Sequence, residues 1–169
     1  QLDVKQLTKI HGIGNVKAVQ LKCVGELAKR IASTRRRQQV VLESPESIAS
    51  YYMERMRHEA QEILVLAMFD SKSMLIGEKV ISVGTSNAAL ISPREIYRTA
   101  LQEKAVYIVI LHNHPSGNPE PSREDVQVTR KIKQSGEILD ILLMDHIIIG
   151  DNRYFSFREQ DILFEKGRE

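Results

Sequence analysis

The chain has 169 residues, 42% of them apolar and 27% charged, which is the composition of one globular domain or of one domain with a small appendage. No apolar run reaches the length of about 18 residues that a membrane-spanning helix needs, so the sequence excludes such a helix. The single cysteine, Cys23, cannot form an internal disulfide, which favours a reducing, cytoplasmic compartment. The chain begins at Gln1 without an apolar signal segment, and we expect a truncated or processed N-terminus.

The formal net charge of +2 combines two unlike segments. Residues 1–44 contain nine Lys or Arg against three Asp or Glu, a net charge of +6. The rest of the chain has 15 basic and 19 acidic residues and a net charge of −4. Such a contrast is typical of chains in which a short basic part meets a polyanion. We therefore expect the acidic remainder of the chain to have a separate function.

The basic segment is predicted to form two helices joined by a glycine turn. Apolar residues recur at helical spacing over Asp3–Ser33, and the turn is the sequence Ile10–Gly14. Asn15 is expected to begin the second helix. The basic run Arg35–Arg37 follows and is either a solvated linker or a phosphate contact. We place the domain boundary after this run, between residues 40 and 41.

Residues 41–169 alternate strand and helix signals, which predicts an α/β domain. Ser44, Ser92 and Ser122 each stand where a helix is expected to begin. In chain order, the predicted elements are helix 44–58, strand 62–69, turn 70–73, strand 75–83, helix 92–104, strand 106–112, loop 113–121, helix 122–134, and strands 141–150 and 154–157. About 125 residues are enough for one well-buried core.

Between His112 and Asp125, residue types that bind metals are spaced so that their side chains can converge on one point. Residues two apart on a strand project from the same face, so His112 and His114 can direct two imidazoles to one point. The Pro- and Gly-rich loop that follows can return the chain so that Asp125, in the first turn of the next helix, meets that point. Two His and one carboxylate leave one position of a tetrahedral Zn²⁺ open, as in catalytic sites. Ser122 is placed to donate a hydrogen bond to an electrophile.

Other interpretations of the same residues stay open. Ser122-x-x-Asp125 is also a capping box, and the two histidines are also compatible with a hydrogen-bonded pair at a strand end. The string His-Asn-His is not the dispersed motif of the nucleases that carry that name. A zinc deaminase is excluded because it needs Pro-Cys-x-x-Cys, whereas Cys23 is the only cysteine; its layered α/β architecture is nevertheless similar.

His112-x-His114-Pro115 followed by Ser122-x-x-Asp125 resembles the JAMM signature of the JAB/MPN metalloprotease superfamily, and His-Asn-His-Pro-Ser-Gly is similar to the RadC family. The resemblance covers essentially residues 44–157 and includes Val83-Gly84-Thr85, Ser92-Pro93-Arg94, Asp145–Gly150 and Tyr154–Phe157. It implies a mixed β-sheet sandwiched by helices and one Zn²⁺ per chain on His112, His114 and Asp125. It also implies an acid/base glutamate on an early strand, which Glu62 matches.

The implied activity is that of a zinc-dependent hydrolase of metallopeptidase type, acting on an unidentified protein or peptide. Glu62 would carry a proton from water to the leaving amine, and the Ser122 hydroxyl would stabilise the oxyanion. Glu62 is also compatible with a solvated charge at a helix-to-strand junction, and Glu59 competes with it as the base. Asp145 and His146 form a polar pair that either supports the site or serves the fold alone.

The N-terminal turn resembles the helix-hairpin-helix motif, which implies DNA binding without sequence specificity. The resemblance to the RadC family implies a connection to DNA repair or recombination. Gly12 and Gly14 would let the backbone approach a phosphate that Lys9 and Lys17 neutralise. A helical hairpin that needs glycine only for its turn is the alternative. Because the family's supporting helices would precede Gln1, we expect weak DNA binding. A DNA-associated adaptor with a vestigial or structural metal site and a metal-dependent nuclease also stay open as functions.

Overall fold

The structure is a computed structural model that describes residues 3–37, 44–84 and 91–162, with backbone alone for residues 28–37. The chain divides into two compact units, Gln1–Gln38 and Gln39–Glu169. The boundary that the sequence predicts between residues 40 and 41 lies outside the described residues, as does Thr85. Among the described residues, no helix is both long enough and apolar enough to cross a membrane.

The N-terminal unit contains two helices, α1 (Val4–Leu7) and α2 (Asn15–Arg37). α1 is a single turn that is closed by a capping box, since Asp3 accepts the Gln6 N–H at 2.7 Å and the Gln6 side chain accepts the Asp3 N–H. α2 begins at Asn15, as predicted. The turn between the helices needs a glycine at Gly12, whose φ is +84°.

The second unit is built on a five-stranded mixed sheet. Its elements in chain order are α3 (Pro45–Met56), β1 (Ile63–Phe69), β2 (Leu75–Val83), α4 (Pro93–Gln102), β3 (Tyr107–Asn113), α5 (Arg123–Leu139), β4 (Leu142–Ile149) and β5 (Tyr154–Ser156). The strand order is β2-β1-β3-β4-β5. β3 and β4 are parallel, whereas the other neighbouring pairs are antiparallel. The apolar, β-branched sequence of β3 accounts for its place in the middle of the sheet.

Helices cover both faces of this sheet. Residues of α3 such as Ile48 and Tyr52 pack on one face with alternate strand residues such as Val109 and Leu111. α4 and α5 supply the other face, where Ile96 and residues of α5 meet Ile110 and its neighbours. The α/β fold with a mixed sheet sandwiched by helices is thus confirmed.

Local differences from the sequence prediction have physical causes. α5 continues five residues beyond the predicted end at Gln134, through Gly136. A Cβ at Gly136 would collide with the Tyr97 hydroxyl and the Ile141 carbonyl, so this glycine allows close packing rather than ending the helix. Ser92 stands at the N-cap of α4, but its hydroxyl makes no capping hydrogen bond within the described parts of the chain.

Candidate metal centre

The carboxyl end of β3 and the first turn of α5 bring His112, His114 and Asp125 together. The Nε2 atoms of the two histidines are 3.0 Å apart. Asp125 Oδ1 lies 3.4 Å from His112 Nε2, and Asp125 Oδ2 lies 3.6 Å from His114 Nε2. Bonds of about 2.0–2.2 Å to a tetrahedral zinc separate the ligand atoms by about 3.3–3.6 Å. The two Asp125–histidine distances lie in this range, and the 3.0 Å between the Nε2 atoms is slightly shorter, so the rings would move apart a little around an ion. The donor set is of the kind that binds a metal ion such as zinc, and these three residues could hold one.

Backbone hydrogen bonds hold His114 in place although it lies beyond the end of β3. Its N–H donates to the Ile149 carbonyl of β4 at 2.9 Å, and its own carbonyl accepts the Gly117 N–H at 2.9 Å. Its Nδ1 lies 2.8 Å from the Asn118 carbonyl oxygen. A carbonyl oxygen only accepts hydrogen bonds, so Nδ1 carries a proton, and Nε2 is the atom that could bind a metal ion once it is deprotonated.

The charges of the three residues also suit a cation site. Burial lowers the pKa of His112 to about 4, so its ring is neutral near pH 7. Burial alone would raise the pKa of Asp125, but hydrogen bonds from His114 and Ser122 hold it well below its usual range. The hydrogen bond with Asp125 raises the pKa of His114. The site thus combines a neutral imidazole, a carboxylate and a second imidazole that a cation would deprotonate.

Ser122 and Asp125 form the capping box of α5. The Ser122 N–H donates to Asp125 Oδ2 at 2.7 Å, and the Asp125 N–H donates to Ser122 Oγ at 3.1 Å. The Ser122 hydroxyl also donates to Asp125 Oδ2, at 2.6 Å. The capping and metal-site interpretations are therefore compatible, because Asp125 uses Oδ2 for the cap and directs Oδ1 towards His112.

Glu62 stands directly before β1, at the same end of the sheet as the histidines, because β1 runs antiparallel to β3 and pairs Leu64 with His112. The Glu62 carbonyl accepts the Gly84 N–H at 2.8 Å. Partial burial and the Asp125 carboxylate raise the pKa of Glu62, and His114 opposes the rise. Glu59, by contrast, is exposed. Of the two candidate bases, Glu62 is therefore the one whose charge interacts with the metal-ligand cluster.

Asn113 is a site residue that the sequence reasoning did not single out. Its side chain leaves β3 between the two histidines, is 1% exposed, and binds the segment that carries Glu62. Its Oδ1 accepts the Ile63 N–H at 2.8 Å, and its Nδ2 donates to the Gln61 carbonyl at 3.1 Å. A polar residue between two ligands on a buried strand is the only signal of this role in the sequence.

Asp145 and His146 serve different purposes. His146 Nε2 lies 2.8 Å from His112 Nδ1, so His146 supports the ligand cluster directly. Asp145 instead accepts hydrogen bonds from the Ser156 hydroxyl at 2.6 Å and from the Arg158 N–H at 3.0 Å. Burial raises the pKa of Asp145 to about 6. The two interpretations left open for this pair therefore divide between its members.

The residues of the predicted DNA contact lie between α1 and α2 and in the first turn of α2. The Lys17 ammonium donates to the Gly12 carbonyl at 3.2 Å. A Cβ placed at Gly12 or Gly14 would have no atom within 4 Å among the described residues, so both glycines border open space. Lys9 is exposed and lies just before this turn. The arrangement is compatible with the approach of a phosphate and equally with a simple helical hairpin.

Known proteins resemble this chain over most of its length. The model of a family described as RadC-like JAB domain matches residues 42–162. A UPF0758 protein of Desulfitobacterium hafniense is 42% identical over 163 residues, which cover 96% of this chain and 72% of the relative. A UPF0758 protein of Methanosarcina acetivorans is 39% identical over 158 residues, covering 94% and 69%. One from Halalkalibacterium halodurans is 39% identical over 157 residues, covering 93% and 68%.

Proposed function

The chain belongs to the RadC-like JAB domain family, and on this basis we propose that residues 41–169 form a zinc-dependent hydrolase with metallopeptidase chemistry. The observation that carries the proposal is the convergence of His112, His114 and Asp125 at distances that suit a tetrahedral metal ion. A catalytic zinc site needs a fourth, open position, and three protein ligands leave one. The metal-dependent hydrolase is thus the function that best fits both the family and the geometry.

The chain's own residues would divide the chemistry among them. A bound zinc ion supplies Lewis acidity towards a carbonyl group and lowers the pKa of water. Glu62 would accept a proton from water as the oxygen attacks the carbonyl carbon, and then return it to the leaving amine. Its raised pKa suits a group that must both take and release a proton near neutral pH.

Ser122 would donate to the oxyanion that develops on the attacked carbonyl. In the structure its hydroxyl donates to Asp125 Oδ2, so this role requires the hydroxyl to turn towards the substrate. The capping hydrogen bond from the Asp125 N–H to Ser122 Oγ does not use the hydroxyl proton and holds the oxygen in place during that rotation. Ser122 is therefore proposed as the donor and Asp125 as a ligand that the cap orients.

Metal analysis tests the site. Protein purified without chelator is expected to contain about one zinc per chain, and the double variant His112→Ala/His114→Ala is expected to contain none. The control removes two histidines from exposed positions, as His11→Ala/His58→Ala, and is expected to keep the metal. Equal zinc content in all three proteins would contradict the assignment.

Substitution of Glu62 distinguishes an enzyme from an adaptor. Glu62→Gln is expected to keep zinc and fold but to lose turnover of peptide and isopeptide substrates from a fluorogenic library. Glu59→Gln is the matched control, because Glu59 is exposed, and it should retain turnover. Turnover that survives in Glu62→Gln would exclude Glu62 as the base. Zinc-loaded wild-type protein that cleaves nothing would favour the adaptor.

We also propose that the N-terminal unit contacts DNA without sequence specificity, in a role in repair or recombination. The observation that favours it is the position of the Lys17 ammonium at an open glycine turn within a segment of net charge +6. Lys9→Ala/Lys17→Ala is expected to weaken binding of double-stranded DNA and to flatten its salt dependence by about two ion-pair contacts. Lys72→Ala/Lys104→Ala, outside this unit, is the control.

A metal-dependent nuclease is a further alternative. DNA that is cleaved only by protein with intact His112 would indicate this activity.

A further inference from the structure

A chain of buried hydrogen bonds connects the metal-ligand cluster to the middle of α5. His112 Nδ1 lies 2.8 Å from His146 Nε2, and His146 Nδ1 lies 2.5 Å from Thr129 Oγ1. Thr129 Oγ1 in turn lies 2.5 Å from the main-chain carbonyl oxygen of Asp125. We propose that Thr129 and His146 are positioning residues of the metal site, which fix the tautomer of His112 so that Nε2 presents its lone pair to the metal. This inference rests on the metal site of the proposed function.

The direction of each hydrogen bond in this series, from donor to acceptor, follows from the last one. A carbonyl oxygen only accepts, so the Thr129 hydroxyl donates its single proton to Asp125 O. The Thr129 oxygen can then only accept from His146, which places the His146 proton on Nδ1. His146 Nε2 is left to accept the Nδ1 proton of His112. Each donor has one acceptor, and His112 Nε2 remains unprotonated and faces the other ligands.

The surroundings prevent water from replacing any link of this chain. His112, Thr129 and His146 are between 0% and 1% exposed. The His146 ring stacks on Phe157, with ring centroids 4.8 Å apart and planes inclined by 10°. The register places His146 beside Ile110 in the parallel pair of β3 and β4, on the same face as His112. Strand register, ring stacking and helix position together fix the geometry of the chain.

This series of hydrogen bonds also links two of the proposed metal ligands, His112 and Asp125, to each other. It begins at the ring of His112 and ends at the main chain of Asp125, so α5 and β3 cannot shift relative to each other without breaking it. Partners of this kind, one bond removed from the metal, orient ligand rings, and their loss costs about 10–100-fold in metal affinity. The partner of a metal-ligating histidine is usually a carboxylate, a carbonyl or water, whereas here it is a second imidazole that Thr129 must orient.

The alternative is that Thr129 acts only as a helical threonine that binds the carbonyl one turn before it. Thr99 in α4 provides the comparison, because its hydroxyl donates to the Glu95 carbonyl at 3.0 Å and it is 4% exposed. The other partner of Thr99 is the Lys79 ammonium, at 3.3 Å, and not a histidine. Thr99→Val therefore removes the same local hydrogen bond with no connection to the metal ligands.

The experiment measures zinc affinity by competition with a chromogenic chelator, in Thr129→Val, Thr129→Ser and Thr99→Val. Thr129→Val keeps the shape of threonine but lacks its hydroxyl, and it is expected to bind zinc about 10–100-fold more weakly than wild type. Thr129→Ser restores the hydroxyl and should recover most of the affinity. Thr99→Val should match wild type. ¹⁵N NMR of the zinc-free proteins should show His112 protonated on Nδ1 in wild type and mixed tautomers in Thr129→Val.

A second pair of variants keeps the test decisive if Thr129→Val folds poorly. His146→Gln retains an acceptor for the His112 ring and is expected to bind zinc more tightly than His146→Leu, which retains none. Unchanged affinity in both Thr129→Val and His146→Leu would overturn the inference while leaving the metal site intact. A loss in Thr99→Val equal to that in Thr129→Val would also overturn it. Wild-type protein that binds no zinc would contradict the proposed function itself.

Discussion

The side chain of Asn113 takes the place of a backbone acceptor for Ile63. The ladder between β1 and β3 ends at the pair Leu64 and His112, and the next N–H, that of Ile63, donates to Asn113 Oδ1 at 2.8 Å. Asn113 Nδ2 donates to the Gln61 carbonyl on the other side of Glu62. One amide therefore fixes the backbone both before and after the proposed base.

Asn113→Ala is expected to lower the free energy of unfolding by about 1–3 kcal/mol, because it leaves the Ile63 N–H and the Gln61 carbonyl without this partner. Urea unfolding of the zinc-free protein measures the loss. Zinc content should not change, since Asn113 contributes no ligand atom to the cluster. Asn118→Ala removes only a long hydrogen bond of 3.4 Å and should stay within about 0.5 kcal/mol of wild type.

Asp125→Asn separates the two roles of Asp125. The amide oxygen can still accept the Ser122 N–H, so the capping box persists, whereas the lost negative charge should abolish most of the zinc affinity. Asp125→Ala loses both and should be less stable than Asp125→Asn by about 1 kcal/mol. Urea unfolding in the presence of chelator and zinc titration check the two effects independently. If Asp125→Asn and Asp125→Ala were equally stable, the capping role would have no energetic weight.

Glu62 is expected to destabilise the zinc-free protein as the pH rises. Its pKa is raised in the folded state from the ordinary 4.5, so the folded protein holds this proton more tightly than the unfolded chain does. Stability is therefore lost as the pH rises from 4.5 through the raised pKa, and the loss is complete above it. Glu62→Gln removes this effect.

Urea unfolding with chelator present should thus find Glu62→Gln more stable than wild type at about pH 7.5, with the difference shrinking towards about pH 4. Solvent reaches Glu62, so the gain should stay below about 1 kcal/mol. A variant less stable than wild type at the higher pH would mean that the carboxylate makes a net favourable contact in the fold.

Gly150→Ala is expected to disturb the metal centre from outside it. A Cβ at this position would lie 2.5 Å from the Gly117 carbonyl oxygen and 2.9 Å from Pro119 Cδ, so the loop that carries His114 would have to move. We expect a loss of about 1–3 kcal/mol in stability and weaker zinc binding. Gly25→Ala in α2, where a Cβ meets nothing within 4 Å among the described residues, should leave zinc affinity unchanged.

Local patterns in the sequence were sufficient for most of the fold. The limits predicted for β2, Leu75 and Val83, are confirmed, because the turn at residues 70–73 marks where the second strand of a hairpin begins. The predicted end of α5 at Gln134 is too early: the helix continues through Gly136 to Leu139, and this glycine packs against Tyr97, 39 residues away in the chain. Contacts of that kind depend on tertiary packing, which local spacing does not contain.

The candidate site likewise contains residues that local spacing predicts and residues that only tertiary packing brings together. His112, His114 and Asp125 could be grouped from spacing because a strand end and a helix start fix their geometry locally. Thr129 stands one helical turn after Asp125, which the sequence shows. Its role could not be predicted from that spacing, because it depends on β4, which places His146 beside Thr129. The electrostatic interaction of Glu62 with Asp125 and His114 depends on the pairing of β1 with β3, and the family resemblance rather than the residues predicted it.

The capping box of α5 has a consequence for the rate at which an ion would leave. Asp125 is the third residue of its helix, a position where helices open most readily, and Ser122 and Thr129 both bind it there. Fraying of this single turn would withdraw the carboxylate and break the chain to His112 in one movement. Release of a bound ion would then accompany opening of this turn, and a more stable first turn of α5 would lengthen the lifetime of the metal-bound state.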